Sequence, residues 1–200
     1  YNNSVSYHPL NKNAKKEISR EFRDLQRLSS RGFDFDEEIE KYIPKKIVIN
    51  ELYKDDINDI NYFGNNLLLL TEKAKQVFEE YNNNTGAIYL MRAYTDCSEE
   101  YIQDLYFLNI SKAINATTNR FGGIKPIKQE EGYYSACHSR YSEEEEKTIA
   151  VLKSEVGKLH FWLDSKLSIG VVFFISDDLK DALVANDITG WKSQNYWQGI

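Results

Sequence analysis

The chain has 200 residues, 42% of them hydrophobic and 28% charged, as in an ordinary globular protein. Its apolar runs of four or five residues are far shorter than the ~18 that span a membrane. Its net charge of −6 argues against nucleic-acid binding, which needs clustered Lys and Arg. The first residues lack the pattern of a secretion signal. The sequence leaves open whether a leader segment was removed before Tyr1. We expect a cytoplasmic protein with no membrane or direct nucleic-acid partner.

The N-terminal segment predicts an amphipathic helix. Its apolar residues follow steps of three and four positions, which place them on one helical face: Leu10, Ala14, Ile18, Phe22, Leu25 and Leu28. The acidic stretch from Asp34 to Glu40 either attracts a basic partner or forms a solvated helix face, and the second interpretation is the simpler. We divide the chain into this helix with its acidic extension, residues 1–46, and one folded α+β domain, residues 47–200.

Two segments of the chain share one plan of an apolar strand followed by a capped helix. In the first, the strand Leu67 to Leu70 leads to Thr71, a residue type that caps helix N-termini. In the second, Val172 to Ile175 leads to Ser176, and acidic residues follow both caps. An old duplication explains the likeness, and so does independent use of a common supersecondary unit.

Further strands are predicted between and around these units: Ile47 to Ile49, one that begins with Ile88, Tyr89 and Leu90, Tyr106 to Ile110, one that begins at Tyr133 and Tyr134, and Leu159 to Leu163. The stretch from Thr117 to Gly123 is typical of a loop. The charge run from Glu143 to Glu146 opens a helix that ends near Gly157. The fold class is therefore α+β, a single domain with several short strands and three or four helices.

No common catalytic or metal-binding motif is present in the sequence. Gly122-Gly123 lacks the Lys-Ser or Lys-Thr of a phosphate loop, and no serine has the glycine spacing of a nucleophile elbow. Cys137 and His138 are neighbours, but adjacent residues of a strand point to opposite faces. Cys97 and Cys137 are expected to be free thiols in a reducing compartment. We expect no catalytic residue, no metal and no cofactor.

The C-terminal unit carries a resemblance to a known family. The segments Gly157 to Trp162, Val172 to Leu183 and Ile188 to Trp191 resemble the signature of the eleventh immunity-protein family of bacterial polymorphic toxin systems. The family, formerly a domain of unknown function, also has segments like Leu68 to Lys75 and Tyr106 to Ile110. The likeness covers about three quarters of the chain, from near Ile47 to the end, and leaves the N-terminal helix outside.

The resemblance implies a bacterial cytoplasmic protein that binds a cognate toxin domain and protects its producer, in competition by contact-dependent or type VI secretion. The family has no catalytic residues that the resemblance would assign to this chain. The acidic charge suits a basic toxin, and a nuclease is one class that fits. Aromatic anchors favour interfaces, and the candidates for toxin binding are Tyr196, Trp197, Tyr133 and Tyr134. Trp162 and Trp191 are expected in the core.

Two other functions remain open from the sequence. A small enzyme that acts on a toxin product would need a cluster of polar side chains. An adaptor or scaffold subunit would act through the N-terminal helix. A toxin reading frame directly upstream of the gene would separate an immunity protein from an adaptor. The sequence does not reveal the toxin's identity, the binding surface or the oligomeric state.

Overall fold

The computed structural model describes residues 37–40, 43–49, 51–62, 68–118, 150–164, 173–191 and 198–199. The helices of this part are α1 (Glu37–Glu40), a 3-10 helix (Glu51–Asp56), α2 (Glu72–Glu80), α3 (Lys153–Val156) and α4 (Asp177–Ala185). The strands are β1 (Lys46–Ile49), β2 (Ile60–Tyr62), β3 (Leu68–Leu70), β4 (Gly86–Thr95), β5 (Tyr101–Ile110), β6 (Ala113–Ile114), β7 (Thr117–Thr118), β8 (Ala150–Val151), β9 (Phe161–Asp164), β10 (Phe174–Ile175) and β11 (Gln198–Gly199).

A five-stranded mixed sheet with the order β1-β4-β5-β3-β2 forms the centre of the fold. The ten-residue strands β4 and β5 form an antiparallel hairpin with a bulge beside Ala93 and Tyr94. On one side of the hairpin β1 pairs with β4 in parallel, and on the other β3 and β2 add antiparallel strands. Two small three-stranded sheets, β10-β9-β6 and β11-β8-β7, accompany it.

The two predicted strand–helix units are present with nearly identical caps. Thr71 has φ −72° and ψ 168°, and its hydroxyl accepts from the N–H of Ala74. Ser176 has φ −71° and ψ 162°, and its hydroxyl accepts from the N–H of Leu179. Each cap satisfies one backbone donor at the start of a nine-residue helix. The strands differ in location, because β3 belongs to the central sheet and β10 to a small one.

Helices α2 and α4 pack together over one face of the central sheet. The core beneath them combines side chains from both units, such as Leu70 and Phe78 from the first and Leu179 and Leu183 from the second. Phe78 meets Phe161 of β9 edge to face, with ring centroids 5.4 Å apart. A second cluster that includes Met91 lies on the opposite sheet face. The sheet is therefore buried on both faces over part of its area.

The α+β class is confirmed, and β1, β5 and β9 lie where strands were predicted. The expected loop from Thr117 is wrong at its start, because the β-branched pair Thr117–Thr118 joins Ala150–Val151 as a short strand. The N-terminal helix, Leu10 to Leu28, lies outside the described residues, as does the charge run Glu143 to Glu146. The helix expected from that run to near Gly157 is wrong as one element, because Ala150–Val151 pair with β7 as a strand and only Lys153–Val156 are helical.

β4 is ten residues long and begins at Gly86, two residues before Ile88, where the sequence predicted that a strand begins. Exposed Leu90 and Arg92 alternate with buried Met91 and Ala93, and this pattern is the two-residue period of a strand with unlike faces. A continuous apolar run therefore does not mark the full length of such a strand. Within the described ranges, no helix has the length and apolar character needed to cross a membrane.

We expect Gly190→Ala to destabilise the fold far more than Gly157→Ala. Both glycines have positive φ, +86° and +60°, so both alanines incur a backbone cost of roughly 1–2 kcal/mol. A Cβ at Gly190 would also overlap the Ile60 carbonyl oxygen and lie 2.5 Å from Asn58 Cβ, whereas at Gly157 nothing lies within 4 Å. Urea unfolding followed by circular dichroism and fluorescence measures both free energies. Equal losses of unfolding free energy in the two variants would contradict the close approach of the turn at Gly190 to β2.

Candidate functional site

The four residues predicted to bind a partner, Tyr133, Tyr134, Tyr196 and Trp197, lie outside the described residues. Cys137 and His138 lie outside them as well. The structure therefore leaves these positions as predictions. Other residues form the exposed surfaces of the described part of the chain.

Trp162 and Trp191, which the sequence assigned to the core, both have packing roles. Trp162 is 5% exposed and stacks on Phe174, with ring centroids 5.5 Å apart. Trp191 is half-buried against the main core, and its Nε1 donates to the Ile188 carbonyl oxygen at 2.7 Å. Both rings stabilise the interior rather than offering a binding face.

The Ser–His pair formed by Ser176 and His160 serves the helix cap. Nδ1 of His160 lies 2.9 Å from Ser176 Oγ, which also accepts from the N–H of Leu179 at 3.2 Å. The Ser176 N–H donates to the His160 carbonyl oxygen at 2.8 Å. The edge of the His160 ring meets the Tyr81 ring. With its hydroxyl hydrogen-bonded on both sides, Ser176 joins β9 to the start of α4.

Cys97 is an exposed free thiol in the turn between β4 and β5. Its Sγ lies 3.4 Å from a carboxylate oxygen of Asp96. A hydrogen bond to that carboxylate raises the pKa of the Cys97 thiol, which disfavours the reactive thiolate. In the described part of the chain, no group of three or more His, Cys, Asp or Glu side chains could hold a metal ion.

Asp59 joins the two strand–helix units through a cluster of hydrogen bonds. One carboxylate oxygen accepts from the Thr71 hydroxyl at 2.8 Å, and the other accepts from the N–H and hydroxyl of Thr189 at 3.0 Å each. The Ile60 N–H also donates to the Thr189 carbonyl oxygen. We call Asp59, Thr71 and Thr189 the polar junction. It fixes the start of α2 against the turn after α4.

Charge strengthens the polar junction. Burial of Asp59 opposes its ionisation, but the hydrogen bonds from Thr189 and Thr71 outweigh burial and lower the pKa of the carboxyl. Lys73 Nζ lies 3.7 Å from Asp59 Oδ2 and donates to the Asp187 carbonyl oxygen at 2.9 Å. The ionised carboxylate is thus the form that the fold favours.

The far half of the β4–β5 hairpin carries an exposed aromatic and basic surface. Leu90 is 45% and Tyr101 is 50% exposed, and Arg92 and Lys46 are exposed too. Register places these side chains on the sheet face that α2 and α4 cover elsewhere. We call Lys46, Leu90, Arg92, Tyr94 and Tyr101 the hairpin surface.

The aromatic rings of the hairpin surface have defined partners. Tyr94 and Tyr101 meet edge to face with centroids 5.8 Å apart, and Lys46 Nζ lies 4.9 Å from the centroid of Tyr94. Burial and a hydrogen bond to Asp104 raise the pKa of Tyr101. Tyr and Arg on a rigid scaffold are the residues that dominate protein interfaces. This surface was not predicted from the sequence. The pattern that could have indicated it is the alternation of outward-facing and buried residues from Leu90 to Tyr94.

Tyr106 links the hairpin to α2. A hydrogen bond to Glu72 raises the pKa of Tyr106 to about 12, and the same bond lowers the pKa of Glu72. Lys75 Nζ lies 4.7 Å from the Tyr106 ring centroid and 3.2 Å from Glu72 Oε1. These contacts hold the exposed face of α2 beside the hairpin surface.

The outer sides of α2 and α4 form an acidic surface. Its exposed acids are Glu72, Glu79, Glu80, Asp177, Asp178 and Asp181. Three lysines on these helices, Lys73, Lys75 and Lys180, offset part of that charge. We call these six acids the acidic helix surface. It lies on the same side of the central sheet as the hairpin surface.

One family model matches the chain, and its description is "Immunity protein family (Imm11)". It covers residues 2–196. The chain belongs to this family. The match begins well before Ile47, so this Imm11 chain includes the segment from Leu10 to Leu28 in its family region, which the sequence resemblance had left outside. No curated protein matches the chain.

We expect Asp59→Asn to lower the free energy of unfolding by roughly 1.5–3 kcal/mol at pH 7, the range for hydrogen bonds to a charged group. The folded pKa of Asp59 is lowered, so its stabilisation is complete above the unfolded value of about 3.9 and is lost as pH falls through the folded value. The difference between the two proteins should therefore shrink in acid. Denaturant unfolding from pH 7 to pH 2.5 measures it.

Asp181→Asn is the matched control for that experiment, because it removes one exposed carboxylate from α4 outside the polar junction. It should change the stability at pH 7 by less than about 0.5 kcal/mol. A pH-independent difference between wild type and Asp59→Asn would show that the charge of Asp59 is not what stabilises the junction.

Proposed function

We propose that this Imm11 chain protects the cell that makes it by binding a cognate toxin domain and blocking its action. The observation that carries the proposal is the family match over residues 2–196. The proposed place of action is the cytoplasm of the producing bacterium. The proposed mechanism is occlusion of the toxin without catalysis or a cofactor.

Occlusion requires a rigid surface with a few well-placed anchors. The hairpin surface has these properties, because its strands continue into the core at Met91, Ala93 and Leu105. Tyr101 and Arg92 are exposed and Tyr94 is half-buried, on a hairpin backbone that is paired along its length except at the bulge beside Ala93 and Tyr94. Rigid aromatic side chains lose little conformational entropy on binding, which favours slow dissociation.

The toxin domain is proposed to be basic. The chain carries −6 net charge, and the acidic helix surface lies on the same side of the central sheet as the hairpin surface. Opposite charge accelerates encounter and selects partners. Toxins that attack nucleic acids are commonly basic because their substrates carry dense phosphate charge. A nuclease toxin is therefore the class that this charge favours.

The decisive test is coexpression with the toxin domain encoded beside the gene. Cells that express the toxin alone should stop growing, and cells that also express this chain should survive. The purified pair should form a one-to-one complex by light scattering. Survival without any complex, with the toxin product removed from cell extracts, would contradict occlusion and favour an enzyme.

We expect neutralisation of the acidic helix surface to slow association with the toxin. The triple variant Glu80→Gln, Asp178→Asn, Asp181→Asn should bind several-fold more slowly at low salt and dissociate at nearly the wild-type rate. High salt should abolish the difference, because exposed charges are screened. Stopped-flow fluorescence over a range of salt concentrations measures both rates.

The control for charge number is the triple variant Asp55→Asn, Asp56→Asn, Glu99→Gln, whose exposed acids belong to neither α2 nor α4. It removes the same formal charge. A slower association in both triple variants would assign steering to net charge alone. An association rate that ignores salt would contradict steering altogether.

We expect aromatic anchors to determine the dissociation rate. Tyr196→Ala or Trp197→Ala should accelerate dissociation and cost about 2 kcal/mol or more if either residue is an anchor, and Tyr133 and Tyr134 are the next candidates. Tyr101→Ala applies the same test to the hairpin surface. The control is Val184→Ala, an exposed apolar truncation on α4. Surface plasmon resonance measures the rates, and unchanged dissociation in every aromatic variant would place the interface elsewhere.

A further inference from the structure

The outer edge of β4 is paired over only part of its length. β1 pairs with Arg92–Thr95, whereas β4 begins at Gly86. The N–H of Arg92 donates to the Lys45 carbonyl oxygen, and that of Asp96 to the Ile49 carbonyl oxygen, both at 3.0 Å. Backbone groups of successive strand residues point in alternate directions. The even-numbered residues of β4 therefore face this edge, and the odd-numbered ones face β5.

Ile88 and Leu90 are the even-numbered residues between the two ends of this edge. Before them, Gly86 is satisfied by Asn82, whose Nδ2 donates to the Gly86 carbonyl oxygen at 2.8 Å and whose Oδ1 accepts from its N–H at 3.3 Å. After them, β1 takes over at Arg92. Among the residues that the structure describes, none pairs with the outward N–H and C=O groups of Ile88 and Leu90.

Residues 43–45, which directly precede β1, do not continue along this edge. Lys45 is exposed, but Ile43 is buried in the cluster on the sheet face opposite α2 and α4. Pro44 lies between them and has no N–H with which to extend a ladder. Within the described part of the chain, Ile88–Leu90 is thus a short sheet edge without a partner strand, and Leu90 is 45% exposed. An unpaired edge is a template for another strand.

We propose that an extended segment of the toxin domain adds to the edge at Ile88–Leu90, in line with β1, an inference that rests on the proposed function. Its main chain would donate to and accept from the outward groups of Ile88 and Leu90, as in recognition by strand addition. The edge borders the hairpin surface through Leu90 and Arg92. One toxin domain would then contact both.

The side chains around the edge define the chemistry of the added segment. On one sheet face it would lie beside the exposed apolar side chain of Leu90. On the other face lies Tyr89, whose hydroxyl donates to Glu40 Oε1 at 3.2 Å, and both Glu40 and Glu37 are exposed. The segment therefore carries an apolar residue next to Leu90 and Lys or Arg next to Glu40. Such a basic residue is complementary to these carboxylates.

A second copy of this chain does not fit the same edge through its own β4. That strand is ten residues long, and β1 already occupies the line of the edge from Arg92 onwards. Two β4 strands paired edge to edge would each overlap the other's β1. A short extended segment from a different protein avoids this overlap.

Amide hydrogen exchange tests the proposal on the unmodified protein. In the free chain the N–H groups of Ile88 and Leu90 should exchange quickly, while those of Ala87 and Tyr89, which face β5, should be protected. Addition of the toxin domain encoded beside the gene should slow Ile88 and Leu90 by about tenfold or more and leave Ala87 and Tyr89 unchanged. Residue-resolved NMR follows all four amides.

Leu90→Pro and Leu90→Thr form the matched pair of variants. Proline removes the outward N–H without removing a bond to β5, whereas threonine shortens the side chain and keeps that N–H. Leu90→Pro should weaken toxin binding about tenfold more than Leu90→Thr. Circular dichroism confirms that each variant is folded, and the exchange experiment stands if Leu90→Pro is not.

The outcomes distinguish this inference from the proposed function. A complex in which Ile88 and Leu90 still exchange quickly overturns strand addition and leaves toxin binding intact. Equal losses in the two Leu90 variants also overturn it, since they assign binding to the side chain. Protection that appears with protein concentration in the absence of toxin identifies a second copy as the occupant. The absence of any complex contradicts the proposed function itself.

Discussion

The carboxylate of Asp59 is shared by two units that lie more than a hundred residues apart in the chain. It accepts from the cap residue of α2 and from the turn after α4. A buried carboxylate is stable only when donors replace the water it has lost. The two helices are therefore held in one relative position, and the approach of Gly190 to Ile60 leaves no room for adjustment.

This constraint determines which part of the central sheet is covered. With α2 and α4 held over β3 and the near ends of β4 and β5, the core collects Leu70, Ile88 and Leu108 beneath them. The far half of the hairpin extends beyond the helices, with Leu90 and Tyr101 exposed. The hairpin surface thus results from two short helices on a longer hairpin.

The likeness of the two strand–helix units is strongest where local chemistry acts. Their caps have nearly the same dihedral angles, and both helices have nine residues. The strands before them differ in their sheets, and Ser176 also contacts His160, whereas Thr71 contacts Asp59. Capping requires only a hydroxyl before a helix, so tertiary contacts were free to differ. The same geometry is compatible with duplication and with independent origin.

The sequence by itself determined the α+β class, both capped helices and the family resemblance, because capping, short apolar strands and segment order depend on neighbouring residues. It also predicted that Trp162 is buried. Tertiary structure decided the full length of β4, the polar junction and the edge at Ile88–Leu90, with which no described residue pairs. Those features depend on how strands that are distant in the sequence are placed next to each other. β1 begins only at Lys46, because Pro44 and the buried Ile43 direct the preceding residues away from the edge of β4.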